Sequence, residues 1–186
     1  MHADPTTVPT TPATVYVALG SNLGDRLATL RSATRMLRDG VAPGTRLLRC
    51  SPVYETRPLG PASESYLNAV VELRTCAEPV ALLAALQGLE LRHGRTRRER
   101  WEARTLDLDL LVWEGPRGSV ELAEPGLRLP HPELERRDFV LAPLVALAPE
   151  LRPGGRAGAG PTAVELLAAL PAGVRTIVAQ LDELLC

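Results

Sequence analysis

Lysine is absent from this chain: all 21 basic side chains are arginines, set against 22 acidic residues for a net charge of −1. The absence excludes a Walker A loop, which needs its lysine on the phosphates, and protein-kinase chemistry, which needs a lysine on a strand. Any phosphate charge must therefore be met by arginine or by metal. Arginine suits the task, because its planar fork makes two charge-assisted bonds to a phosphate and stays charged at physiological pH. Aromatic residues make up only 3% of the chain, which weakens the case for an RNA-binding module built on exposed stacking rings. Near-neutral charge gives no global field to draw in nucleic acid or an anionic membrane. No apolar run is long enough to cross a bilayer, so a soluble protein is expected. The three cysteines, Cys50, Cys76 and Cys186, are odd in number and widely spaced with no Cys-x-x-Cys. They suggest neither a disulfide framework nor a zinc site, and a reducing cytoplasm fits.

At 186 residues and 20.0 kDa the expected organisation is one domain over residues 14–186, behind a Thr- and Pro-rich leader at 1–13 that reads as disordered and lacks the features of a signal peptide. Val15 to Leu19 is a continuous apolar run closed by Gly20, the pattern of a buried strand. Ser21 or Asn22 is expected to cap a helix running through Leu27, Leu30, Met36 and Leu37 to Asp39-Gly40. A second strand is expected at Thr45–Val53, then a restricted loop around Pro58–Pro61 and a third strand near Tyr66–Arg74. Glu78-Pro79 opens a second helix that ends at His93-Gly94. The order through Trp113 is β-α-β-β-α-β. That order predicts an α+β fold with a ferredoxin-like core, a mostly antiparallel sheet with helices packed on it. A hairpin at Val120–Leu129, helices at Asp138–Leu147 and Ala163–Leu170, and a docked element at Thr176–Leu185 complete the expectation. Gly-rich Arg152–Pro161 reads as a mobile loop.

The chemistry concentrates between Arg95 and Trp113. Arg95, Arg97, Arg98, Arg100 and Arg104 precede Leu106-Asp-Leu-Asp-Leu110. A strand points alternate residues to the same face, so Asp107 and Asp109 share one face while the leucines take the other. Two adjacent carboxylates call for a cation, and Mg²⁺ takes one or two carboxylates while filling its shell with substrate phosphates. Two bland accounts compete. GC-rich coding inflates arginine clusters into solvated loops, and an edge strand with a wet face also alternates. His131 lies between two prolines, where it is either a phosphate donor or an exposed loop residue. Tyr66 and Phe139 are core or ligand-stacking rings. Asn68 shares a strand face with Tyr66, and a buried amide there needs hydrogen-bond partners.

Val15-Tyr-Val-Ala-Leu-Gly-Ser-Asn-Leu-Gly-Asp25, Ser51-Pro-Val-Tyr-Glu-Thr56, Tyr66-Leu-Asn-Ala69, the loop from Gly94 to Trp101, Arg104-Thr-Leu-Asp-Leu-Asp109 and Leu129-Pro-His-Pro132 resemble, in order, the 6-hydroxymethyl-7,8-dihydropterin pyrophosphokinases of folate biosynthesis. The resemblance runs from Thr14 to about Pro153. It implies transfer of a pyrophosphoryl group from ATP to the hydroxymethyl group of the pterin, release of AMP, and two Mg²⁺ ions. It further implies that Asp107 and Asp109 ligate metal and that Arg95, Arg97 and Arg104 neutralise the transferring group. Gln87, Glu90, Trp101, His131 and Arg137 would lie on the ATP side. Tyr66 and Phe139 would sandwich the pterin, whose edge would be read by Asn68, Thr56 and backbone near Arg57 and Leu59.

The chain departs from the family pattern at Glu102-Ala103, where many members read Gly-Pro, and at Arg57 and Pro132. A monomer with small-molecule substrates, and with neither a nucleic-acid nor a membrane partner, is the resulting expectation. A catalytically dead scaffold homologue competes with it, and the retained aspartate pair argues against that.

Overall fold

The computed structural model describes residues 11–58, 64–94, 105–116, 118–154 and 159–186. Residues 1–10 of the expected leader, 59–63 of the Pro-rich loop, the whole of 95–104, and 155–158 of the Gly-rich stretch lie outside the described residues.

Strand β1 (Ala13–Ser21) extends past the apolar run at both ends, because antiparallel partners flank it on both sides and pairing with one of them persists to Ser21↔Leu67. That extension overturns the expected cap. Ser21 is still strand, and helix α1 (Arg26–Arg38) starts instead at Asp25, whose side chain accepts from the Ala28 N–H at 3.0 Å. The single strand expected at Thr45–Val53 is divided into β2 (Arg46–Cys50) and β3 (Val53–Thr56). Pro52 has no N–H to offer a ladder, and Ser51 closes the gap by pairing with Val70: its N–H donates to the Val70 carbonyl and its hydroxyl accepts from the Val70 N–H, each at 2.9 Å. Then follow β4 (Tyr66–Thr75), α2 (Pro79–Arg92), β5 (Asp107–Gly115), β6 (Gly118–Ser119), the hairpin β7 (Leu122–Glu124) and β8 (Leu127–Leu129), α3 (Asp138–Leu147), α4 (Ala163–Ala169) and β9 (Ile177–Leu181). The tail element expected at Thr176–Leu185 is thus a strand.

The main sheet runs β6-β5-β1-β4-β3-β9, with β2 beside β3 on the same edge of β4. Every pairing in it is antiparallel. The fold is a mixed α/β arrangement built on this sheet, with a separate core on each face. On one face Val15, Val17, Leu19, Leu67, Leu106 and Leu108 pack with Leu30 and Leu37 of α1 and Leu82, Leu86 and Leu89 of α2. On the other, Tyr16, Val70, Leu111 and Val112 pack with Val140, Leu141 and Leu144 of α3 and Ala163 of α4. The odd-numbered residues of β1 face the first core and Tyr16 faces the second, as strand alternation requires. A register shift in β1–β5 pairing between Tyr16 and Val17 makes Leu111 an extra residue, so Leu111 and Val112 both turn to the α3 side.

The cysteine expectation is corrected: Cys50 at the end of β2 and Cys186 at the C-terminus form a disulfide across a sequence separation of 136 residues. Spacing gave no sign of it, because the two positions meet only once β9 has paired with β3. Cys76 is free and partly buried. No helix among the described residues is long and apolar enough to cross a membrane.

Candidate active site

The site lies on the α3 side of the sheet. In β5 and just before it, Leu106, Leu108 and Leu110 are buried while Asp107 and Asp109 are only half-buried. The leucines enter the core against α1 and α2, so the aspartates face the other way. In β4 the same parity sends Leu67, Ala69 and Val71 into that core, leaving Tyr66, Asn68 and Val70 on the aspartate side.

Register then joins the two carboxylates to the polar groups of β3 and β4. Tyr54 pairs with Asn68, Asn68 with Gly20, and Gly20 with Asp107, giving one row across four strands. In the next row Val70 pairs with Ala18 and Ala18 with Asp109. Gly20 is the gap in the first row. A Cβ built on it would stand 3.4 Å from Asn68 Oδ1 and 3.9 Å from Asp107 Cβ, so the missing side chain leaves a depression between amide and carboxylate. Strands two apart in a sheet are about 10 Å apart, which sets the backbone separation of Asn68 and Asp107. Ser21, the next residue, has a buried hydroxyl with no hydrogen bond among the described residues, but strand alternation turns it to the α1 and α2 side with its partner Leu67. Gly20 was not predicted as a site residue. The signal available was a strand ending in Gly-Ser-Asn where a longer side chain would have been ordinary.

Thr56 pairs with Tyr66 across β3–β4 and is buried. Its hydroxyl accepts from the Asn68 amide at 2.8 Å, which leaves the Thr56 O–H proton and the Asn68 carbonyl oxygen as a donor and an acceptor. Arg57 is exposed, and its backbone N–H donates to the Thr176 carbonyl at 2.9 Å. Phe139 stands at the start of α3, partly buried and packed into the second core, with the Arg137 guanidinium 5.7 Å from its ring centroid. That separation is within cation–π range.

His131 follows β8, after a cis Leu129–Pro130 peptide, and its N–H donates to the Leu111 carbonyl at 2.8 Å. The residue displaced by the β1–β5 bulge thus anchors the histidine. Its Nδ1 accepts from the Glu133 N–H at 3.3 Å, so Nε2 carries the proton in the neutral ring. Burial pushes the imidazole below its ordinary value, against Asp109, which raises it, with Arg137 lowering it and Glu133 and Asp107 raising it. A histidine that feels both aspartates and Arg137 belongs to the same charged cluster.

The two α2 positions separate. Gln87 is exposed. Glu90 is 3% exposed, and its carboxylate accepts from the Leu108 N–H at 2.7 Å. It therefore fastens β5 midway between the two aspartates. Among the described residues no three His, Cys, Asp or Glu side chains converge as a metal cage. The donor set is a carboxylate pair on a half-open face, which fits a hard cation that completes its shell with phosphate and water. Leu59, Arg95, Arg97, Arg98, Arg100, Trp101, Glu102 and Arg104 lie outside the described residues.

Residues 16–149 match the model of the family 7,8-dihydro-6-hydroxymethylpterin-pyrophosphokinase (HPPK). The chain belongs to this family. It is 45% identical over 159 residues to the 2-amino-4-hydroxy-6-hydroxymethyldihydropteridine pyrophosphokinase of Pseudomonas aeruginosa, covering 84% of this chain and 91% of that one. The protein of the same name from Bacillus subtilis is 40% identical over 137 residues, with 73% and 78% covered. Among solved structures, the Plasmodium falciparum HPPK-DHPS wild type with pteroate superposes with a TM-score of 0.60 at 12% identity, over 84% of this chain and 44% of that one. An HPPK-DHPS in complex with substrates gives 0.63 at 12% identity, over 86% and 43%. The chain spans less than half of those two solved chains, and at such identity the likeness concerns fold alone. The HPPK match ends at residue 149, so α4 and β9 lie beyond it.

Proposed function

We propose that this chain transfers the pyrophosphoryl group of ATP to 6-hydroxymethyl-7,8-dihydropterin, giving the pterin diphosphate and AMP, as a step of folate biosynthesis. The observation that carries the reading is the register row Asn68–Gly20–Asp107, which joins an amide, a gap and a carboxylate on one sheet face in a chain of the HPPK family.

In this reading Tyr66 and Phe139 hold the pterin ring, with offset or edge contacts to its faces. The Asn68 carbonyl and the Thr56 hydroxyl read its polar edge, together with backbone near Arg57 and Leu59. The hydroxymethyl oxygen then points toward Asp107 and Asp109. It attacks the β-phosphorus in line with the departing AMP oxygen, the β-phosphorus–oxygen bond to AMP breaks, and the hydroxyl proton passes to solvent water as the new P–O bond forms. Asp107 and Asp109 would hold Mg²⁺, two ions in our reading, which when bound supplies positive charge across the ATP phosphates. His131, neutral with its proton on Nε2, is set to donate to a phosphate oxygen, and Arg137 adds fixed charge beside it. Arg95, Arg97 and Arg104 would close over the transferring group, with Gln87, Glu90 and Trp101 on the nucleotide side. Catalysis of this kind rests on positioning and charge stabilisation. Strand order and pairing also support a ferredoxin-like split core at residues 14–115, within a single pyrophosphokinase domain over residues 14–186. A monomer is part of this reading, and ATP as donor suits a cytoplasmic reaction.

The test is to incubate the protein with ATP, Mg²⁺ and the hydroxymethyl-dihydropterin and follow nucleotide products. AMP appearing only when pterin is present is expected. ADP as the product, or AMP release independent of pterin, would overturn the reading.

A further inference from the structure

The pterin-side residues come from separate elements, and one residue of the C-terminal tail ties two of those elements together. Thr176 stands just before β9, outside the HPPK match. Its carbonyl accepts the Arg57 N–H at 2.9 Å, which fixes the chain directly after Thr56. Its own N–H and hydroxyl both donate to the Asp138 carboxylate at 2.6 Å, and the Ile177 N–H adds a third bond at 2.9 Å. Asp138 is 2% exposed and is the first residue of α3, between Arg137 and Phe139. A buried carboxylate gripped by three donors has little freedom, because each charge-assisted bond is directional and its loss leaves a buried polar atom unpaired. The β3–β9 pairing also shifts register between Glu55 and Thr56, so β9 changes course at the residue that bonds Asn68.

We propose that Asp138 and Thr176 are positioning residues for the pterin: together they set Phe139 at the head of α3 against Thr56 at the end of β3. The proposal rests on the pyrophosphokinase reading. It assigns the tail beyond the family match a part in substrate affinity. The phosphate-side carboxylates are held separately, by β1 and by Glu90, so the latch acts on one substrate and not on both.

The test compares the full chain with Thr176→Val, Thr176→Ala and Thr176→Ser, measuring AMP release against pterin at saturating ATP and against ATP at saturating pterin. Valine keeps the shape and removes the hydroxyl donor, alanine removes it without apolar bulk, and serine restores it. Expected is a KM for pterin raised about five- to tenfold in the Val and Ala variants, the scale of one lost bond to a buried charge. The KM for ATP and kcat should stay within about twofold, and Thr176→Ser should return the pterin KM to that of the wild type. An unchanged pterin KM in both Val and Ala variants, or parallel changes in both KM values, overturns the proposal. So does a fall in melting temperature that Thr176→Ser shares, with no split between substrates. A wild-type protein that releases no pterin-dependent AMP is a different result, and it overturns the functional reading itself.

Discussion

At Asp107 and Asp109 the alternation of one strand sets the chemistry, since each carboxylate is half-buried between fully buried leucines. Replacing either by asparagine keeps the shape and removes one charge. Steady-state turnover should fall roughly 10²–10³-fold in each variant, the order found when one group stabilising transition-state charge is removed. Near-wild-type kcat in either would remove that residue from the site. His131 offers a second check. Burial lowers its pKa and Asp109 partly offsets that, so Asp109→Asn should move the His131 ring resonance to titrate at still lower pH in an NMR titration of the ligand-free protein. The sign follows from proton linkage: the unfolded chain takes up this proton at its ordinary value near 6.5 and the folded chain only below it. Stability attributable to His131 is therefore complete above 6.5 and declines as pH falls through that window. A titration unmoved by Asp109→Asn would separate the histidine from the carboxylate. Gly20 acts by having no side chain. Gly20→Val should fold and yet lose pterin affinity, measured by titration calorimetry, because the added methyls enter the gap between Asn68 and Asp107.

Among the elements, α1 shows how local chemistry yields to pairing. Ser21 and Asn22 are good caps by type, but β1 takes Ser21 into its ladder and the helix begins only after Gly24 has turned the chain at φ +61°. Asp25→Ala should cost about 1 kcal/mol of unfolding free energy in urea, whereas Ser21→Ala should give no loss of capping. The split of β2 from β3 has a similar origin: Pro52 was visible in the sequence, but the Ser51–Val70 bonds that close the break depend on β4 being there. Helices α2 and α3 were legible to the residue or nearly so, because Pro79 and Gly94 punctuate α2 and an apolar run beyond Asp138 defines α3. The strand β9 was not, since Ile177–Leu181 has too short a pattern to choose its state without β3 beside it.

For the whole molecule, the C-terminal tail is the part that sequence described least. It supplies the outer strand of the sheet, the Thr176 bonds and half of the disulfide. Closing a loop of this length lowers the entropy of the unfolded chain, and Cys186→Ser or a dithiol reductant should lower stability by about 2–4 kcal/mol. At about 2–4 °C per kcal/mol for a chain of this size, the melting temperature should drop by about 5–15 °C in a calorimetric scan. No difference between reduced and oxidised protein would show the bond to be thermodynamically idle.

By itself the sequence determined the alternation that turns Asp107 and Asp109 to one face, the alternation of strands and helices through β5 apart from the division of β2 from β3, and the requirement that phosphate charge be met without lysine. These are properties of residue type and period two or 3.6, which the backbone imposes locally. Only the tertiary structure decided that Gly20 lies between Asn68 and Asp107, that Leu111 anchors His131, that Glu90 fastens Leu108, and that Asp138 meets Thr176. Each of those depends on the register of one strand against another or on the packing of a helix over the sheet. Such contacts join residues far apart in the chain, and the energy that selects them comes from burying both cores at once.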